Sequence, residues 1–332
     1  QGATLETTLA PAVQRAAVKA MTGIRGAAVA LDPKTGAILA MVSQPTFAPN
    51  DLAGHDLSAL DENYKKLNTD PQRPLVNRSI NGDLYPPGSI FKVITAAAAL
   101  STGEYTEDSM LPGPAVLELP GTTASLPNMF DGACGANDKV SFTRAMAISC
   151  NTAFAAVGMD IGADALRAQA EKFGFGDSLS VPMRVTPSTI PAELNMPQLA
   201  QSSIGQFDVR VTPLQMAMVA AGGPNGAAVM KPYLVQSVIG SDLSVIETTD
   251  PQELSQAVTP DVAAQLTRMM EAVVTDGSGT RAQIDGVAVA GKSGTAQHGE
   301  GRKPHAWCIP LAPADDPPIA GAVIAEDGGT TG

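Results

Sequence analysis

Aromatic residues make up only 4% of this 332-residue chain, with a single tryptophan among them. Ala, Val, Ile, Leu and Met must therefore pack the interior, and an apolar content of 44% is enough for a large core. Basic residues are also few: 21 Lys and Arg stand against 33 Asp and Glu, a net charge of −12. That balance excludes a nucleic-acid or anionic-membrane surface, which needs clustered cations. No apolar run reaches the ~18 residues of a membrane span. No secretory signal is visible, and the chain begins at Gln1, so the expectation is a domain trimmed from a longer protein. Cysteine and histidine occur three times each. There is no Cys-x-x-Cys pair, and His55, His298 and His305 do not fall at zinc-ligand spacing, so no zinc site is expected. The plain reading of Cys134, Cys150 and Cys308 is three buried thiols. In an exported protein a Cys134–Cys150 disulfide is expected instead, with Cys308 free.

The length allows one or two domains. Val13, Ala17 and Met21 recur at helical spacing and predict a helix over 1–22. Apolar runs at 26–33 and 37–43, joined by Pro33-Lys34-Thr35-Gly36, predict a hairpin. Residues 44–88 read as a long irregular excursion. Helices are expected at 89–101, as two or three short pieces within 141–175, at 212–221 with Pro213 in the first turn, and at 260–274. Strands are expected at 286–290, 305–312 and 319–325. With strands at both ends and helices between them, the pattern implies an α/β (α+β) domain. One antiparallel sheet (about 1–88 and 260–332) carries an inserted helical lobe (about 89–259).

The helix at 89–101 is apolar around nearly its whole circumference, and Lys92 is its single charge. An amine buried there is costly unless it is paired or functional. Desolvation lowers a lysine pKa and makes the neutral amine available as a base. Ser89 lies one turn earlier on the same face, so an amine stands beside a hydroxyl that it can activate. Ser89 also falls at the helix start, where free N–H groups favour developing negative charge. The competing reading makes Ser89 a simple N-cap and lets Lys92 snorkel to the surface. Two further elements count against it. Ser149-Cys150-Asn151 offers a hydroxyl and an amide at a break between helices. Lys292-Ser293-Gly294-Thr295 follows a strand-like run and brings a second lysine, which could hold a carboxylate or tune Ser149.

Together the three motifs resemble the active-site set of penicillin-binding proteins and serine β-lactamases. Gly26 to Pro45, Tyr85 to Lys92, Ile204 to Ala217 and His305 to Pro313 are similar to class B penicillin-binding proteins, and Ser-Cys-Asn resembles the actinobacterial A type. The resemblance implies a D,D-transpeptidase fold, an antiparallel sheet covered by helices plus an all-helical lobe. It implies that Ser89 attacks the penultimate D-Ala carbonyl of a peptidoglycan stem peptide, that Lys92 takes its proton and that Ser149 relays a proton to the leaving D-Ala. Asn151 would hold the substrate amide and steady Lys92. Lys292, Ser293 and Thr295 would recognise the terminal carboxylate, Gly294 would belong to the same substrate-binding segment, and the N–H groups of Ser89 and Thr295 would form the oxyanion hole. A second peptide's amine would resolve the ester, β-lactams would acylate Ser89, and no metal or organic cofactor would be needed. The implied setting is extracytoplasmic and membrane-anchored in the full-length protein, among cell-wall synthesis proteins. Ser293 stands where Thr is commoner, and Cys308 where an aromatic often follows Ala-Trp. A final helix and an N-terminal pedestal are missing from the chain, which stops at Gly332.

Three rivals remain. Gly286 to Ser293 matches a P-loop pattern, but a P-loop needs a strand before its first Gly and a helix after its Ser, and Gly294, Gly299, Gly301 and Pro304 oppose that helix. A hydrolase would need a water-activating base. Glu193 near Asn195 has only a superficial likeness to one, because the position four before Asn195 is Pro191. A β-lactam sensor would keep acylation without transpeptidation. Smaller features have plain readings: Asp208 and Arg210, beside Gln206, form a loop pair, Trp307 packs the sheet, His305 ends a strand, and Gly277-Ser278-Gly279-Thr280 is a turn.

Overall fold

The computed structural model describes residues 2–223 and 226–329; Gly332 lies outside them. Strand β1 (Thr4–Thr7) precedes helix α1 (Pro11–Ala20), so the helix expected over 1–22 is too long. Pro11 starts α1 because its missing N–H is harmless in a first turn. The residues before it pair with a distant strand instead. Strands β2 (Gly26–Leu31) and β3 (Ile38–Gln44) form the expected hairpin. The stretch read as irregular contains helix α2 (Leu57–Thr69), capped by the Asp56 carboxylate. None of its residues is buried, so it has no apolar stripe that periodicity could reveal.

One 3-10 turn (Gly88–Phe91) leads into α3 (Lys92–Ser101), which is buried up to Leu100. Burial of side chains such as Phe91, Ile94 and Leu100 contributes roughly 1.5–3 kcal/mol each. That grip is what can hold a lysine underneath. Short strands follow: β4 (Met110–Pro112), β5 (Val116–Glu118), β6 (Ser125–Pro127) and β7 (Lys139–Ser141). They form the pairs β4–β7 and β5–β6, which the sequence reading does not contain. Helices α4 (Phe142–Ala147), α5 (Asn151–Lys172), α6 (Met196–Ser202) and the wholly buried α7 (Pro213–Gly222) come next. Strands β8 (Ala228–Met230), β9 (Val235–Ile239), β10 (Val245–Thr248) and β11 (Glu253–Gln256) close the middle of the chain; β9 lies between β1 and β10, and β8 pairs with β11.

Helix α8 (Pro260–Asp276) precedes β12 (Ala290–Ala296), β13 (His305–Ala312) and β14 (Ile319–Ala325). The main sheet is antiparallel, in the order β12-β13-β14-β2-β3, and is built from both ends of the chain. Its edge strand corrects the expectation of a strand at 286–290. Ile284 and Val287 make only an isolated bridge, and the strand runs through Lys292 to Thr295. Those polar and glycine residues show no strand-like alternation, yet each pairs with β13, Lys292 opposite Ile309 and Ser293 opposite Cys308. Helix α7 packs on β2, β13 and β14, and α8 packs on β12.

Candidate active site

Ser89 stands on a turn held by backbone contacts from two sides. Gly88 has φ +55, a conformation glycine takes without strain, and a Cβ there would lie 2.6 Å from the Thr295 carbonyl oxygen. Gly205, at φ +72, closes the other side; a Cβ on it would meet Gly88 O at 2.1 Å. Gly88 N–H donates to Gly205 O at 2.9 Å. Trp307 packs in the sheet as expected, and its Nε1–H also donates to Pro86 O at 3.1 Å, tethering the segment that leads to Ser89.

Lys92 is 0% exposed, which excludes the snorkelling alternative. Its Nζ donates to Ser149 O at 2.7 Å and Asn151 Oδ1 at 2.8 Å, and lies 3.2 Å from Ser149 Oγ. Burial holds its pKa well below 10.5, and the Lys292 charge lowers it further. A neutral amine has two hydrogens and one lone pair. The carbonyl and Oδ1 can only accept, so they take the hydrogens and leave the lone pair for a hydroxyl.

Ser149-Cys150-Asn151 spans the join between α4 and α5. Ser149 has φ +60, uncommon for a residue with a side chain. The surroundings hold it in place. Cys150 forms a disulfide with Cys134, while Cys308 is free. Asn128, buried at 8% exposure, accepts through Oδ1 from the N–H groups of Asn151 (3.0 Å) and Thr152 (3.2 Å). These are open donors of the α5 N-terminus. Asn128 Nδ2 donates to Pro114 O and Gly132 O, and Asn151 Nδ2 donates to Pro127 O at 3.1 Å. Sequence reasoning missed Asn128, since nothing local marks a residue whose partners are all distant.

On the edge strand, Lys292 is also 0% exposed, and desolvation pushes its pKa down to about 7. Its Nζ donates to Ser293 O at 2.9 Å. The hydroxyls of Ser293 and Ser278 meet at 2.8 Å, and Ser278 N–H donates to Ala147 O at 2.8 Å. The Gly277–Thr280 turn thus joins α4 to β12, a role its sequence did not reveal. Ser89, Asn151 and Thr295, one from each motif, line a single cavity of about 130 Å³ together with Gln206 and Gln297. Lys92 and Ser149 join it through Asn151.

Other candidates settle more simply. Arg210 pairs with Asp208 at 3.4 Å and donates to two loop carbonyls, a structural arrangement. His305 begins β13 and stacks on His298 with ring centroids 3.6 Å apart. His298, His305 and Asp327 bring donor atoms within 4.8 Å of one another, a cluster their sequence spacing hid. The two rings are stacked with an interplanar angle of 6°, so their planes do not meet near the rings, whereas a metal ion shared by two imidazoles lies close to both planes. His305 Nδ1 accepts the Asp327 N–H, and burial lowers its pKa to about 4. The P-loop rival fails because β12 continues past Ser293 where a helix would be needed. Glu193 is exposed, and Asn195 is occupied as the N-cap of α6.

A serine clamped on a tight turn against an edge strand, one helical turn from a desolvated amine, is the arrangement that the class of active-site-serine acyltransferases requires. A family model described as the penicillin binding protein transpeptidase domain matches residues 26–332, and the chain belongs to that family. Peptidoglycan D,D-transpeptidase PbpA of Mycolicibacterium smegmatis is 47% identical over 340 residues, which cover 99% of this chain and 68% of that protein. Its counterpart in Mycobacterium tuberculosis is 43% identical with the same coverage. The solved penicillin-binding protein A from M. tuberculosis, as a ceftriaxone acyl-enzyme, matches with a TM-score of 0.94 at 42% identity over 99% of this chain and 75% of that one.

Proposed function

We propose that this domain is a peptidoglycan D,D-transpeptidase acting outside the cytoplasm. The observation that carries the reading is the Lys92 amine, buried and held by Ser149 and Asn151 one turn from Ser89. Ser89 Oγ attacks the penultimate D-Ala carbonyl of a stem peptide, and its proton passes to Lys92. The N–H groups of Ser89 and Thr295 stabilise the oxyanion. The C–N bond breaks, and Ser149 relays a proton to the departing D-Ala amine. Asn151 holds the substrate amide. Lys292, Ser293 and Thr295 hold the terminal carboxylate. A second peptide's amine then attacks the ester, the C–O bond breaks and Ser89 regains its proton. The same steps up to the ester account for acylation by β-lactams, the state in which the M. tuberculosis relative was solved with ceftriaxone and with penicillin G. Cell-wall synthesis proteins are the partners this role implies, and a membrane anchor would belong to the full-length protein.

Intact mass after incubation with penicillin G tests the reading. Stable addition of one penicilloyl group to the parent and none to Ser89→Ala is expected. Rapid return of the parent to its free mass would point to a hydrolase. A thioester donor with an amine acceptor then separates a transpeptidase from a sensor, which would be acylated without forming the amide product.

A further inference from the structure

A second cavity, of about 680 Å³, adjoins the Ser89 cleft. Gln297, two residues beyond Thr295, lines both. Tyr85 and Pro86, on the segment that leads into Ser89, line the larger one. Its volume falls within the range of small-ligand sites.

The lining is far richer in cations than the protein as a whole. Arg25, Arg73, Arg78, Arg210 and Arg302 all face it, in a chain of net charge −12. Asp83, Glu300 and Glu326 join them, and Asp208 and Asp327 pair with Arg210 and Arg302 at its margin, so five cations meet five carboxylates and the site carries both signs. Three of the arginines are structural, Arg210 among them through Asp208 and two loop carbonyls. Arg78, 3% exposed, is bound to Glu326 and to the carbonyls of Arg73 and Gln72, and Arg25 also pairs with Glu326. The other two, Arg73 and Arg302, are exposed to about half. Arg73 pairs with Asp83 through Nη1, and Arg302 with Asp327 through Nη2. A guanidinium has five N–H donors, so Arg73 and Arg302 keep donors to spare. A planar fork of such donors suits a carboxylate.

We propose that this cavity is the acceptor subsite: it binds an amine-bearing peptide by its free carboxylate and delivers the amine to the Ser89 ester past Gln297. The proposal rests on the transpeptidase reading, which requires a second substrate beside the ester. A lining with both signs fits a peptide that carries both an amine and a carboxylate.

The test compares the parent with the Arg73→Ala/Arg302→Ala double variant, using a thioester donor and two acceptors: a D-amino acid and its carboxamide. The parent is expected to use the acid at least tenfold better than the amide, by KM. The variant loses that preference, while its rate of acylation by penicillin G stays within twofold of the parent. Arg302→Lys, which keeps charge without the fork, recovers part of the preference. Equal use of acid and amide by the parent overturns the proposal, and so does acylation that falls in step with acceptor use. NMR titration of the D-amino acid into unacylated protein needs no turnover. Shifts at Gln297 that vanish in the double variant support the subsite. Their absence in the parent overturns it. Failure of penicillin G to label Ser89 counts against the transpeptidase reading alone.

Discussion

Lys92 Nζ and Asn151 Oδ1 are 2.8 Å apart, and both groups are shut off from water. The amide oxygen takes one amine hydrogen without bringing a charge, so the pair is compatible with a neutral base. Asn151→Asp would put a carboxylate in the same place. An opposite charge favours the protonated amine and raises its pKa. Acylation by penicillin G at pH 7 should then fall by about 10²-fold, the lower end of a general base's contribution, and should recover as pH rises. A variant whose deficit does not depend on pH would contradict this.

Lys292 sets the opposite limb. Burial lowers its pKa from 10.5 to about 7, so in the free enzyme it is charged below that value and neutral above it. If its charge holds the substrate carboxylate, donor KM rises above about pH 7. Lys292→Arg, whose charge persists, should flatten that rise. Stability moves the other way. Between about pH 7 and 10.5 the unfolded chain holds a proton that the folded one has lost, so stability increases with pH in that window. Urea midpoints measured at pH 7 and pH 9 check the sign.

Asn128 offers a different kind of test. Truncation to Ala leaves the N–H groups of Asn151 and Thr152 without their buried acceptor. Such a loss costs about 1–3 kcal/mol. Chemical denaturation should show that drop. If Asn128 also positions the Ser149–Asn151 turn, the acid limb of the acylation pH profile should shift as well, which a purely structural role would leave in place.

The Cys134–Cys150 link closes a loop with a sequence separation of 16. A loop of about 15 residues gains about 3 kcal/mol from closure in the chain-entropy view. Replacing both cysteines with Ser should lower stability by about that much. Thiol labelling of the denatured parent should count one cysteine without reductant and three with it. A count of three in both conditions would rule the link out.

Much of this was legible in the sequence, for identifiable reasons. β2, β3, β13 and β14 carry apolar runs because helices bury them, and buried strands read plainly. Lys92 was legible because one charge in an apolar helix has few explanations. β12 was misplaced because residues that serve a cleft are polar or small, which erases the strand pattern. α2 was invisible because it buries nothing. Asn128 and Ser278 were hidden for a further reason: their partners lie in other segments, and one sequence does not say which loops will meet.

Ser278 has a consequence for how the jaws of the cleft move. One N–H grips α4 just ahead of Ser149, and one hydroxyl touches Ser293 on the edge strand. Prising β12 away from α4 must part that hydroxyl pair, a contact worth about 1 kcal/mol. So small a latch can release and re-engage on every catalytic cycle. A Ser278→Ala chain should therefore accept bulkier donors more readily and hold small ones less firmly, read out as opposite changes in their acylation rates.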